Sequence, residues 1–347
     1  MRKNIFLLCT MAAIFFVTAC GGSWNGTVSE VKPEDITREV SSELRGMGQS
    51  GLLVEEGELK ESGVIYEDAA ITFQDEVIEE MLRNLIGKPG GEVYISELQE
   101  IHAIYWRHGS YWSNLQSPDG CLPHISGCED GPWETKQPES LKDLAYCYNL
   151  QWMEFGGIEV PSLEPFCNLS QLETLNFEGA SVTEEVLEEI GELPALKYLA
   201  IGNGDGTDWG NLTDGSFLLP LADQLIELEA AGGIDWNVEV LSEMKKLESL
   251  TIDYAEDIFF LTQMPGLKEL YLYCCTPKEW KALSGLKELE YLVIRGNYKT
   301  TIDIELQDLT SLIHLDYLDI AYTSINEEYS YEEIVEALPS LTGLFTQ

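Results

Sequence analysis

The residue types that catalyse reactions are sparse in this chain and fall into no catalytic pattern. The sequence contains no His-Glu-x-x-His, no Gly-x-Ser-x-Gly, no phosphate-binding loop and no dinucleotide fingerprint. Its four histidines form no motif, and we expect those at repeat edges, His102 and His314, to lie at the surface. We therefore predict neither an enzyme nor a cofactor. An enzyme would need a site between residues 107 and 140, around His108 and His124.

One segment has the composition of a calcium-binding loop. Residues 203–208 read Asn-Gly-Asp-Gly-Thr-Asp, so oxygen-bearing side chains alternate with small residues. The ligand expected two residues earlier falls at Ile201, and the late acid falls at Leu212. We interpret the segment as a long glycine-rich turn and predict no metal site.

Two of the eight cysteines form a candidate pair. Cys121 and Cys128 lie in residues 107–140, which are rich in Gly, Pro, Asp and Trp and interrupt the pattern of the flanking sequence. A disulfide between them would close this loop in a protein outside the cytoplasm. A metal site fits less well, because the spacing is not Cys-x-x-Cys.

A repeat sets the elements that would position any site. The pattern Leu-x-x-Leu-x-apolar recurs with spacings from 20 residues (Leu247 to Leu267) to 29 residues (Leu196 to Leu225). Another apolar side chain often lies three residues upstream, as Leu169 does before Leu172. Periods of roughly 20–29 residues are typical of solenoids. The motifs begin at Leu150, Leu172, Leu196, Leu225, Leu247, Leu267, Leu289, Leu315 and Leu341.

Each unit predicts a short strand with one buried face. The fourth and sixth positions are apolar and the residues between them are mostly polar. One unit cannot bury its apolar face alone, so stacked units would make a continuous core. We predict an α/β solenoid with a curved parallel sheet on the concave side and helices or turns on the convex side. Residues 182–190 fit a convex helix, and Cys147, in the upstream apolar register, fits a buried position.

These motifs resemble the leucine-rich repeat family, particularly bacterial surface proteins of the internalin type. The resemblance implies a helical N-terminal cap and first strand over residues 71–106, beginning with an amphipathic helix near Phe73 that Gly87 and Pro89 end. An irregular insertion at 107–140 and the repeats at 141–347 follow. It also implies a structural role for Cys275, since the family places Asn or Cys at this repeat position, where the side chain hydrogen-bonds the turn. The motifs are specific for fold but not for ligand.

The N-terminus predicts export and a lipid anchor. Arg2 and Lys3 precede an apolar run, and residues 17–20, Val-Thr-Ala-Cys, resemble the lipobox of bacterial lipoproteins. The resemblance implies that residues 1–19 are a signal peptide and that Cys20 carries a lipid. An ordinary secretory signal cut after Ala19 is the alternative. We interpret residues 20–70 as a partly disordered spacer, or alternatively as a small folded domain.

The chain is strongly acidic. Its formal net charge is −41, and removal of Arg2 and Lys3 with the signal would make it −43. Phosphate contacts need clustered basic residues, so we predict no nucleic-acid partner. An anionic membrane surface would repel the chain, which would reach the membrane by its lipid only. The charge serves either solubility alone or a preference for cationic partners.

The strand pattern predicts which side chains the concave face presents. Four tyrosines fall on three consecutive strands, and exposed aromatics beside acids are typical of a recognition surface, although tyrosine also simply suits strands. The acids Glu227, Glu229, Asp253 and Glu269 would attract cationic groups. The predicted partner-binding residues are Trp152, Tyr198, Glu227, Glu229, Asp253, Glu269, Tyr271, Tyr273, Tyr291 and Tyr317.

The sequence thus predicts a cell-surface lipoprotein that binds a protein or peptide partner through the concave face. A glycan-binding protein is the nearest alternative, because Tyr and Trp also stack on sugars.

Overall fold

The computed structural model describes residues 67–107, 110–113, 136–177, 179–202, 214–230 and 237–346. The predicted signal peptide, the lipid-bearing Cys20 and most of the predicted spacer lie outside these residues. So do the Cys121–Cys128 pair, His108, His124 and the glycine-rich turn at 203–208. Within the described residues, no helix has the length and apolar character needed to cross a bilayer.

One sheet of eleven strands runs through the described part of the chain. Apart from the antiparallel pair β1–β2, all neighbouring strands are parallel, and each strand from β3 to β11 pairs with its neighbours in chain order. The strands are β1 Ala103–Arg107, β2 Ser110–Ser113, β3 Trp152–Phe155, β4 Thr174–Asn176, β5 Tyr198–Ile201, β6 Glu227–Ala230, β7 Ser249–Asp253, β8 Glu269–Tyr273, β9 Tyr291–Arg295, β10 Tyr317–Asp319 and β11 Gly343–Phe345.

The register confirms the repeat. The second leucine of each motif stands beside that of the next, as Leu250, Leu270 and Leu292 do on β7, β8 and β9. These three side chains are fully buried in one continuous core. Stacking of identical units therefore buries the face that one unit would expose. The fold is an α/β leucine-rich repeat solenoid.

The convex side consists mainly of single-turn helices. The α-helices are α1 Glu76–Leu85, α2 Glu184–Glu188, α3 Leu306–Leu309, α4 Ser324–Glu328 and α5 Tyr331–Ala337. The 3-10 helices are Ile95–Leu98, Lys142–Tyr146, Glu164–Phe166, Glu189–Glu192, Ser216–Leu221, Val238–Glu243, Phe259–Gln263 and Lys281–Gly285. The tighter 3-10 turn suits short connections. The predicted convex helix is confirmed: α2 starts after Thr183, whose Oγ1 accepts from the Val186 N–H, and continues as a 3-10 turn.

Two buried aspartates hold the N-terminal cap against the first repeat. The Asp75 Oδ1 caps α1 by accepting from the Val77 and Ile78 N–H groups at 2.8 and 3.1 Å. Its Oδ2 accepts from the N–H groups of residues 139 and 140 at 2.7 and 3.0 Å. The fully buried Asp143 accepts in turn from the Gln74 and Asp75 N–H groups. Burial raises the pKa of Asp143. We call Asp75 and Asp143 the aspartate clamp.

Strand β2 was not expected. Residues 107–140 were predicted to be irregular, but Ser110–Ser113 pair with β1 in antiparallel register. The first residues of the insertion therefore extend the sheet beyond the first parallel strand.

The histidine and cysteine predictions have different outcomes. Cys147 is fully buried, as predicted. Cys275, for which a structural role was expected, is also fully buried, and its thiol lies 3.8 Å from the Ile252 carbonyl oxygen of the preceding repeat. His314 is exposed, as predicted. The prediction that His102 lies at the surface is wrong: it is buried, and its Nδ1 lies 3.1 Å from the Asn149 carbonyl oxygen, because the first repeat passes directly over it.

In five repeats the seventh residue after the first leucine has left-handed backbone, whereas Gly296 at the same position does not. Glycine occupies this position at Gly157 (φ 75°) and Gly179 (φ 76°), and it adopts this backbone without steric strain. In later repeats Tyr254, Cys274 and Tyr322 take it, with φ between 52° and 58°. A bulky side chain is uncommon in this conformation, so these repeats accept backbone strain that the earlier ones avoid.

Candidate partner-binding face

Strand register arranges the concave side chains in three columns. The first column is Trp152, Thr174, Tyr198, Glu227, Ser249, Glu269, Tyr291, Tyr317 and Gly343. The central column is Glu154, Asn176, Ala200, Glu229, Thr251, Tyr271, Val293, Asp319 and Phe345. The third column is Asp253, Tyr273 and Arg295. Every predicted partner-binding residue therefore stands in one of these columns.

The predicted patch of four exposed tyrosines is wrong at Tyr271. This side chain is only 4% exposed, and its neighbour Val293 in the central column is fully buried. Strands of a sheet lie about 4.8 Å apart, so large side chains on both flanks cover a column between them. Tyr271 therefore packs among the buried side chains of the central column, and its hydroxyl lies 3.4 Å from a Glu269 carboxylate oxygen.

The other three tyrosines lie in the first and third columns, on opposite sides of the central column. Tyr291 and Tyr317 are half-buried in the first column, with ring centroids 5.4 Å apart at an interplanar angle of 21°. The Tyr317 ring lies over Gly343, where an added Cβ would be 2.7 Å from its Cδ2. Burial is the main cause that raises the pKa of both tyrosines. Tyr273 is half-buried in the third column, between Asp253 and Arg295.

Carboxylates occupy the middle of the face. Glu227, Glu229 and Glu269 are half-buried on β6 and β8, and β7 between them presents only the small Ser249 and Thr251. Burial raises the pKa of Glu227 to about 7, and the charges of Glu269 and Glu229 add to the effect. Three like charges thus share a poorly solvated surface.

Arg295 makes its ion pair with a carboxylate of the last repeats. Its guanidinium pairs with the buried Asp319 carboxylate and lies over the Phe345 ring, 5.3 Å from the centroid. Burial raises the pKa of Asp319 while Arg295 opposes that rise. The pair is internal to the last repeats, so the face remains acidic around β6 to β8.

Trp152 and Tyr105 form an aromatic pair at the N-terminal end of the face. Their ring centroids are 5.9 Å apart, with the planes tilted by 39°. Tyr198, half-buried on β5, stands between this group and Glu227. The predicted residues therefore form aromatic zones on both sides of an acidic centre instead of one tyrosine patch.

Two exposed tyrosines at the ends of concave strands were not predicted from the sequence. Tyr254 and Tyr322 are 57% and 47% exposed, at the left-handed positions that follow the strands. The available signal was the replacement of glycine by tyrosine at one position of the repeat. Within the ranges that the structure describes, no three His, Cys, Asp or Glu side chains are placed to hold a metal ion.

No protein-family model and no curated protein sequence matches the chain. Among solved structures it is similar to an internalin of Listeria monocytogenes, with 16% identity over 79% of this chain and 82% of that one, at a TM-score of 0.49. Listeria internalin C2 shows 15% identity over 79% of this chain and 93% of that one, at 0.42. The mouse RP105/MD-1 complex shows 16% identity over 58% and 39%, at 0.44. At these identities the likeness concerns the leucine-rich repeat fold.

Proposed function

We propose that this protein is a binding scaffold whose concave face contacts a protein or peptide partner. The observation that carries the proposal is the arrangement of that face: half-buried aromatics lie on both sides of a group of half-buried acidic side chains. Aromatic side chains with a polar surround are typical of interface centres, where a few residues supply most of the binding energy. A solenoid offers such side chains on one long rigid surface.

The tyrosines at the two edges of the face test this proposal. We expect a Tyr273→Ala, Tyr291→Ala double variant to lose tenfold or more in affinity for a partner, because a buried aromatic contact is worth about 2 kcal/mol or more. The measurement is binding of the purified full chain to protein, peptide and glycan arrays, followed by titration of each hit.

The matched control is Tyr331→Ala, since Tyr331 is 58% exposed on α5, on the convex side. Partners that bind the double variant and the control equally would refute the concave-face proposal. Hits confined to glycans would favour the alternative of a sugar-binding protein.

We further propose that the array is carried outside the cytoplasm on a lipid at Cys20. Support comes from the basic residues, the apolar run and the Val-Thr-Ala-Cys ending of residues 1–20. Anchoring by two or more acyl chains would be stable, whereas one chain binds reversibly. No catalytic function is proposed.

The anchor is tested by labelling expressing bacteria with an alkyne palmitate analogue. We expect the wild type to incorporate label and to fractionate with membranes, and Cys20→Ser to do neither. Cys9→Ser, within the same apolar run, is the control and should behave as wild type. Equal labelling of Cys20→Ser would contradict the assignment.

A further inference from the structure

The contact between the N-terminal cap and the first repeat contains a buried carboxylate oxygen without a hydrogen-bond partner. Asp143 is fully buried in the first 3-10 helix of the repeats. Its Oδ2 accepts from the Gln74 and Asp75 N–H groups at 2.9 and 3.1 Å. Its Oδ1 is shielded from water and makes no hydrogen bond with any residue that the structure describes. One oxygen of this carboxyl group is therefore satisfied and the other is not.

The charges that act on Asp143 disfavour its ionised form. A buried carboxylate is tolerated when both of its oxygens accept hydrogen bonds or when a cation pairs with it. Burial is the main cause that raises the pKa of Asp143, and the two backbone hydrogen bonds oppose that rise. The carboxylates of Asp75 and Glu79, both at the start of α1, raise this pKa further.

The other titratable groups on the packed elements do not reverse this effect. On α1, Arg83 pairs with Glu79 at 2.7 Å. The 3-10 helix of the first repeat carries Lys142, whose side chain is exposed, and Tyr146. The 3-10 helix of the second repeat, which packs against it, contributes the acid Glu164. The basic side chains on these three helices are thus paired or exposed.

A proton is the ligand that suits the unpartnered oxygen. It needs no added space, and it converts a buried charge into a neutral acid, whose burial costs much less. Asp143 is the member of the aspartate clamp with an oxygen available for it. Each oxygen of Asp75 already accepts from two backbone N–H groups.

We propose that Asp143 makes the attachment of the N-terminal cap to the repeats sensitive to pH: a proton on its Oδ1 strengthens the attachment, and loss of that proton weakens it. The Oδ2 atom continues to accept from the Gln74 and Asp75 N–H groups in both states, so the two states differ in charge and not in which groups meet. This device concerns the junction between the cap and the repeats and is independent of what the concave face binds.

The attachment should tighten as the pH falls. Below the ordinary aspartate pKa of 3.8 the carboxyl group of Asp143 is protonated in both the folded and the unfolded chain. Because folding raises this pKa, the unfolded chain releases the proton first as the pH rises, and the folded state loses stability. The loss is complete once the pH exceeds the pKa in the folded chain.

A carbon-13 NMR titration of the purified full chain measures the protonation directly. The aspartate carboxyl carbons are labelled, and the signals of Asp143 and of the exposed Asp223 are assigned through their backbone correlations. We expect the Asp143 carboxyl to stay protonated to a higher pH than the Asp223 carboxyl in the same molecule. Asp143 that titrates together with Asp223, or at a lower pH, would overturn the proposal.

Hydrogen exchange at the Glu139 and Ser140 amides, which donate to Asp75, reports the attachment of the cap. Asp143→Asn keeps an acceptor oxygen and carries no charge. As the pH rises, protection of these amides in wild type should fall relative to Asp143→Asn, by up to about tenfold for each pKa unit found in the titration. Asp223→Asn, the control, should follow wild type at every pH. A ratio between wild type and Asp143→Asn that stays constant with pH would refute the device, whatever the difference in their overall stability.

Discussion

Replacing Glu227 by glutamine is expected to stabilise the folded chain by about 2–3 kcal/mol at pH 8, since each pKa unit corresponds to about 1.4 kcal/mol. Burial and two neighbouring acids raise the pKa of this side chain to about 7, from an ordinary value of 4.5. A carboxyl group whose pKa is raised by folding prefers to be protonated in the native state. Glutamine has the same shape and carries no charge to desolvate.

The pH dependence has a definite sign. Below pH 4.5 the carboxyl is protonated in both the folded and the unfolded chain and costs nothing. As pH rises to about 7 the unfolded chain releases the proton more readily, so the free energy of unfolding falls through this window. The gain from Glu227→Gln should therefore be below about 1 kcal/mol at pH 5 and reach its full value at pH 8.

Urea denaturation at the two pH values measures this difference, with Glu332→Gln on exposed α5 as the control. Identical unfolding free energies for wild type and Glu227→Gln at pH 8 would show that the carboxylate is well solvated.

Replacing Asp75 of the aspartate clamp should lower the free energy of unfolding more than the other single substitutions described. Asp75→Ala deprives four backbone N–H groups of their acceptor, two in the first turn of α1 and two at residues 139 and 140. Hydrogen bonds to charged groups are worth about 1.5–3 kcal/mol each and are not additive here, so we expect a loss of about 3–5 kcal/mol. The cap should also detach from the first repeat.

Thr183→Ala provides the comparison, because the Thr183 side chain caps α2 by accepting from the Val186 N–H, and its other hydrogen-bond partner, Glu185, is in the same helix. Loss of an ordinary cap costs about 1 kcal/mol. Chemical denaturation gives both values, and limited proteolysis near residue 140 reports detachment of the cap. If Asp75→Ala cost no more than Thr183→Ala, the link between the cap and the repeats would carry no stability.

The repeat could be predicted because it is local. The alternation within each motif and the period between motifs determine which side chains enter the core, and the observed column Leu250, Leu270 and Leu292 follows directly. The convex helix after Thr183 was predictable for the same reason, from the spacing of its apolar residues.

Features that depend on distant residues could not be predicted in this way. Asp75 meets backbone 64 residues further along the chain, and no sequence pattern marks that contact. The burial of Tyr271 depends on its place between two columns of large side chains, which alternation alone does not reveal. The elevated pKa of Glu227 depends first on its burial and then on the approach of Glu269 from β8 and of Glu229 from its own strand.

The order of the strands limits how far a substitution on the concave face can act. From β3 to β11 each strand touches only the units before and after it in the chain. A new side chain at one concave position therefore affects mainly the nearest repeats, as Glu269 on β8 affects the pKa of Glu227 on β6, and not the whole molecule. If the concave face binds a partner as proposed, its specificity could be altered one repeat at a time, since Glu227 and Tyr291 occupy separate units.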